Sequence, residues 1–123
     1  MKALIYEQFN LLIDLYTKYL EAYGFEVYAS KSLEDVWEYF NTHDIDVVIA
    51  KFEAVPAHDA PSGVSLIERI RKGANNNQVF ILTVAQDIHA SQRDMLMKLN
   101  VFAMLRLPFT KEAFNSKIEE FLR

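Results

Sequence analysis

The sequence predicts an α/β fold, a doubly wound parallel sheet of five strands with helices on both faces. Two observations carry this. Short apolar runs alternate with longer segments whose apolar residues recur at helical spacing, five times over. The run Val47 to Ala50 is apolar throughout, as a strand covered on both faces must be, rather than alternating as a half-solvated strand would. Parallel neighbours need a crossover, and a helix is the usual one.

Each element has its own justification. Ala3 to Tyr6 is the first apolar run. Residues 9–23 place Leu12, Leu15, Tyr16, Tyr19, Leu20 and Tyr23 at helical spacing, and Gly24 suits the helix end. The three tyrosines follow that spacing and read as core and rim rather than as a stacking platform. Phe25 to Ala29 is the second strand. Ser32-Leu-Glu-Asp35 resembles an N-terminal capping box with Asp in place of Glu, ahead of Leu33, Val36, Trp37 and Phe40 and a helix end near His43. Val47 to Ala50 is the third strand. Val64, Leu66, Ile67 and Ile70 mark the third helix, closing near Gly73 and a turn at Asn75-Asn76-Asn77. "VFILTV", Val79 to Val84, is the fourth strand, and a helix follows from about Ile88 to Leu99. "FAMLRL" is the fifth strand. Thr110 caps a last helix with Phe114, Ile118, Phe121 and Leu122 inward.

With 123 residues, 51% of them hydrophobic, the chain has material for one well-buried core, and one domain over residues 1–123 is expected. The formal net charge is −4 and the pI about 5.3, with Lys and Arg scattered among acids, so nucleic-acid binding has little electrostatic support. There is no cysteine, which excludes disulfides and thiolate metal sites. No apolar stretch approaches the ~20 residues that a membrane helix needs, and a cytoplasmic, soluble protein is expected.

In a parallel sheet, sites lie at the carboxyl ends of the strands near the switch point. That places Glu7 and Gln8, Lys51, Thr83, and Leu107-Pro108 in the expected site. With these residues on the page, the chain resembles the receiver domain of two-component response regulators over essentially its whole length. "YEQ" stands where receivers carry an acidic pair, "DVVIAK" where an apolar strand ends in the phosphoacceptor Asp, "GVSLIERIR" for the third helix, "FILTVA" for the strand with its Thr, and "LRLPFT" for the Lys-Pro-Phe motif. The resemblance implies a flavodoxin-like sheet of order 2-1-3-4-5.

Departures fall in the site itself. Receivers hold Mg2+ with carboxylates, attack phosphorus with one of them, and steady the phosphoryl oxygens with a lysine. Matched by position, Glu7 keeps one acid, Gln8 replaces the other with an amide, Lys51 replaces the nucleophile and Leu107 replaces the lysine; Thr83 is retained. A charged ammonium has no lone pair and forms no acyl phosphate. The expectation is a pseudo-receiver silent in phosphotransfer, not an enzyme, with no cofactor and Mg2+ binding lost or weak.

Two uses are open for Lys51. It can pair with Glu7 as a cation carried by the protein where the metal would be, or extend into solvent at a half-exposed site; the pair is favoured, and a Schiff-base lysine has no supporting neighbours. Thr83 can report on the site or simply be a good strand former, with the second favoured. Met104 occupies the place of the aromatic that usually follows, so a coupled switch is not expected. Glu53 and Asp59 lie in "FEAVPAHDAPSG", which is longer than the family pattern; they could be displaced acceptors but read as solvated residues of a loop without obvious anchors. His43, His58 and His89 have no ligand spacing.

The resemblance implies a signalling module that docks another signalling protein through the fourth helix, fifth strand and fifth helix, where Met95, Met97, Phe102, Met104 and Arg106 offer a soft apolar surface with a cation. No nucleic acid or membrane partner is expected, and the chain itself is expected to be a monomer or weak homodimer. The alternatives are a receiver with a displaced phosphoacceptor, or a small-molecule sensor using the modified pocket. A transcription factor is not expected, because the residues given include no DNA-binding domain.

Overall fold

A computed structural model describes residues 1–73 and 79–123. The elements run β1 (Lys2–Tyr6), α1 (Asn10–Glu21), β2 (Glu26–Ser30), α2 (Leu33–Thr42), β3 (Val47–Lys51), a 3-10 turn (Pro56–His58), α3 (Gly63–Lys72), β4 (Phe80–Ala85), α4 (Ala90–Lys98), β5 (Ala103–Arg106) and α5 (Lys111–Leu122). The five strands form one parallel sheet in the order β2-β1-β3-β4-β5, as expected. The turn expected at Asn75 to Asn77 lies outside the described residues.

Side-chain alternation along the strands divides the core into two layers. On one face Leu4, Tyr6, Val48, Ala50, Ile81 and Ala85 pack with Val36 of α2, Leu66, Ile67 and Ile70 of α3 and Leu96 of α4. On the other, Ala3, Ile5, Val47, Ile49, Leu82, Val84 and Leu105 pack with Tyr16 and Leu20 of α1 and Phe114 and Ile118 of α5. The central strands are buried at every position, which is why they read as unbroken apolar runs.

Local chemistry sets the element ends. Gly24 takes a φ of 85°, and the amides of Tyr23, Gly24 and Phe25 turn back onto Leu20 and Glu21 carbonyls to close α1. The capping box expected at α2 is half formed. Ser32 Oγ accepts from Asp35 N at 3.3 Å, but the Asp35 carboxylate, one methylene shorter than Glu, takes the Ser30 hydroxyl instead of reaching back to Ser32 N. Thr110 caps α5 by accepting from Ala113 N. In the last turn of α5, Phe121 takes the inward place against Phe25 and Phe80. Leu122, one step further round the helix and expected inward, is 42% exposed.

Candidate functional site at the strand ends

The carboxyl ends of β1 and β3 bring together Glu7, Gln8, Phe9 and Lys51. Strand parity sends Glu7, following Ala3 and Ile5, and Lys51, following Val47 and Ile49, to the face covered by α1 and α5. Their charged ends meet there, with Lys51 Nζ 3.6 Å from Glu7 Oε2. Lys51 is 5% exposed and Glu7 1%, so the half-exposed site expected from sequence is a buried one. Phe9 covers it, with the ammonium 4.7 Å from the centre of its ring.

Glu7 Oε2 does further work. It accepts from the backbone amides of Gln8 at 2.7 Å and Phe9 at 3.1 Å, so the carboxylate caps the turn that leads into α1, where Phe9 supplies no side-chain cap. Its negative charge reaches Tyr16 on α1. Burial raises the Tyr16 phenol well above its ordinary value, and Glu7 pushes it further. Gln8 ties β1 to the β2–α2 turn through a 3.2 Å bond from Nε2 to Lys31 O.

The remaining expected residues are placed differently. Thr83 pairs across the sheet with Ala50, and it is Val84 that pairs with Lys51. Thr83 lies between Ile81 and Ala85, which face the α2, α3 and α4 layer, and it is fully buried there with no partner for its hydroxyl among the described residues. The sequence reading is therefore displaced by one residue, which in a strand exchanges one face of the sheet for the other. Leu107 packs against the α1 and α5 layer, and a cis peptide joins it to Pro108. On the expected docking face, Met95, Met97 and Phe102 are 39%, 62% and 49% exposed and Arg106 is exposed, while Met104 belongs partly to the core.

The loop after β3 has anchors that the sequence did not reveal. Phe52 N donates to Val84 O, Val55 bridges Ala60, Tyr6 Oη donates to Pro61 O at 2.6 Å, and Ser62 Oγ donates to Phe52 O. Glu53, expected to be solvated, accepts from Gln86 N at 2.9 and 3.2 Å. Asp59 is exposed at a left-handed φ of 51°. His58 stands beside Phe9, 6.0 Å between ring centres, while the His43 ring is tilted against Tyr28, 4.4 Å between centres.

A magnesium site does not fit these donors. Glu7 is the single carboxylate at the centre, and its Oε2 already faces two amides and an ammonium; a hard dication there would meet a fixed positive charge. Among the described residues no group of three or more His, Asp or Glu side chains could hold a metal ion, and no helix is long and apolar enough to cross a membrane.

No family model matches the chain, and no curated protein matches it. Solved structures do. An orphan response regulator of H. pylori superposes with a TM-score of 0.82 at 19% identity, covering 100% of this chain and 97% of that one. The non-phosphorylated HemR receiver domain of Leptospira biflexa gives 0.85 at 19%, over 98% and 93%. A Vibrio cholerae chemotaxis protein gives 0.84 at 14%, over 98% and 97%. At these identities the likeness establishes the fold, which is that of response-regulator receiver domains.

Proposed function

We propose that this chain is a receiver-like signalling module of the cytoplasm that acts without aspartate phosphorylation, by docking another signalling protein, and that it is not an enzyme. One observation carries the reading. The side chain at the end of β3 is a buried ammonium 3.6 Å from the Glu7 carboxylate, at the position to which the resemblance assigns a receiver's nucleophilic carboxylate. Protonated nitrogen has no electron pair to give phosphorus, and Val84 rather than a hydroxyl lies beside it.

Docking uses the α4 and β5 surface. Met95, Met97 and Phe102 are exposed there, and α4 and β5 carry three exposed cations, Arg93, Lys98 and Arg106, to one exposed acid, Asp94, in a chain whose net charge is −4. A partner that complements this surface presents apolar side chains among acids. The module itself is a monomer or weak homodimer.

The test is an amide-resolved titration with millimolar Mg2+ and either beryllofluoride or acetyl phosphate. The expected result is no change around Glu7, Lys51 and Val84; a saturable shift there, or labelling of Glu53 or Asp59, would establish the displaced-acceptor alternative instead. Lys51→Asp with Leu107→Lys is the minimal restoration, with Gln8→Asp added to rebuild the acidic pair. A metabolite-induced rise in melting temperature would favour the small-molecule sensor. Pull-down from the native host with Met97→Asp and Phe102→Asp alongside the wild type tests the docking surface.

A further inference from the structure

We propose that two polar clasps, Glu53 at its front and Arg71 at its back, hold α4 on the sheet and set the position of the surface it carries. The inference rests on the docking reading only for its functional consequence; the clasps are properties of the isolated chain.

Helix α4 is weakly seated by its own apolar residues. Leu96 is its buried residue, Ile88 and Leu99 on either side are partly buried, and Met95 and Met97 face outward. Side chains from outside the helix compensate at both ends. The turn from β4 into α4 begins at Gln86, whose amide points at both carboxylate oxygens of Glu53, at 2.9 and 3.2 Å. Glu53 stands on a fixed base, because Phe52 beside it is bonded through its amide to Val84 O and through its carbonyl to Ser62 Oγ. A carboxylate that accepts from an amide makes a charge-assisted hydrogen bond, stronger than one between two neutral groups.

At the other end, Arg71 of α3 spreads its guanidinium over three carbonyls among the described residues. Nε donates to Leu99 O at 2.7 Å, and Nη2 to Asn100 O at 2.8 Å and Val79 O at 2.9 Å. Leu99 is the C-cap of α4 and Asn100 follows with a left-handed φ of 56°, so these are carbonyls that the helix itself leaves without amides. A cation there also complements the negative end of the helix. One side chain thus joins α3, the end of α4 and the residue that leads into β4. Thr83, by contrast, has no hydroxyl partner among the described residues, and Lys51 lies on the opposite face of the sheet from α4. Among the described residues no hydrogen bond or ion pair joins Glu7 or Lys51 to α4, and Glu53 supplies a polar link to the turn that leads into it.

Amide hydrogen exchange on the whole chain tests this. Glu53→Ala is expected to speed exchange of the Arg93, Asp94 and Met95 amides, in the first hydrogen-bonded turn of α4, by about ten-fold or more while those of β1 and β3 keep their rates. Arg71→Lys, which keeps the charge and loses the fork, is expected to do the same at Leu99, Asn100 and Val101. Wild-type rates in α4 for both variants would overturn the proposal, as would a uniform rise across the sheet, which would mean global destabilisation. Neither measurement involves a partner, so failure of the docking reading leaves the outcome intact.

Discussion

Lys51 carries the argument at the scale of a residue. A buried ion pair is weak evidence of net stability, since desolvation offsets much of the attraction, but breaking one leaves a stranded charge. Because Glu7 and Lys51 are both almost fully buried, Lys51→Ala is expected to cost about 3 kcal/mol, more than a half-exposed pair would. Glu7→Gln with Lys51→Met removes both charges and should recover much of this, with a coupling of about 2 kcal/mol in a double-mutant cycle read by urea unfolding. Additive effects would mean that the ammonium is idle. Tyr16 makes a second prediction. Its hydroxyl is buried without a partner among the described residues, so Tyr16→Phe should be neutral or stabilising by up to about 1 kcal/mol at pH 7. Its pKa is raised in the folded chain, so the unfolded chain loses the proton first. The resulting stability is complete below pH 10 and declines as the pH climbs above it. Tyr16→Phe should flatten that alkaline limb of a stability profile, although Tyr6, also raised by burial, retains part of it.

At the scale of an element, the segment from Phe52 to Ser62 matters most. It is an anchored loop, with its own bridge and 3-10 turn, that returns the chain to α3 directly over the end of β3. Gly63 is where the two meet. A Cβ added there would lie 2.0 Å from Lys51 O, a backbone atom that cannot swing aside, so helix and strand approach as closely as they do because no side chain intervenes. Gly63→Ala is expected to destabilise by about 3 kcal/mol or more, with amide shifts concentrated at Lys51 and Phe52. Ser62 serves twice, accepting from Val64 N as the α3 cap and donating to Phe52 O. Ser62→Ala should cost about 1–2 kcal/mol by thermal or urea unfolding, as loss of a cap does.

For the whole molecule, stability resides in two layers separated by the sheet. Ile67 belongs to the layer of α2, α3 and α4, and Phe114 to that of α1 and α5, and both are fully buried. Ile67→Ala is expected to cost about 3 kcal/mol and Phe114→Ala about 4 kcal/mol by urea unfolding. Lying in separate core clusters on opposite faces of the sheet, the two should add within about 0.5 kcal/mol. A marked departure would mean that the sheet transmits repacking from one layer to the other.

Architecture was legible in the sequence because it follows from covalent periodicity. Unbroken apolar runs mark strands with two covered faces, a 3.6-residue stripe marks each helix, and the alternation of the two leaves few parallel topologies. The apolar run that ends on Lys51 marked it as a strand-end side chain, and only the resemblance to receiver domains implied that a carboxylate is expected at that position. What the sequence could not supply was the register. Both faces of β4 are apolar, so nothing along "FILTVA" distinguishes Thr83 from Val84 as the neighbour of Lys51, and a slip of one residue reverses the face. Burial of the Glu7–Lys51 pair, the hold of Glu53 on Gln86, and the fork of Arg71 on the end of α4 all join residues far apart in sequence. Such contacts depend on how strands and helices are stacked, and that is settled only when apolar burial brings the layers together.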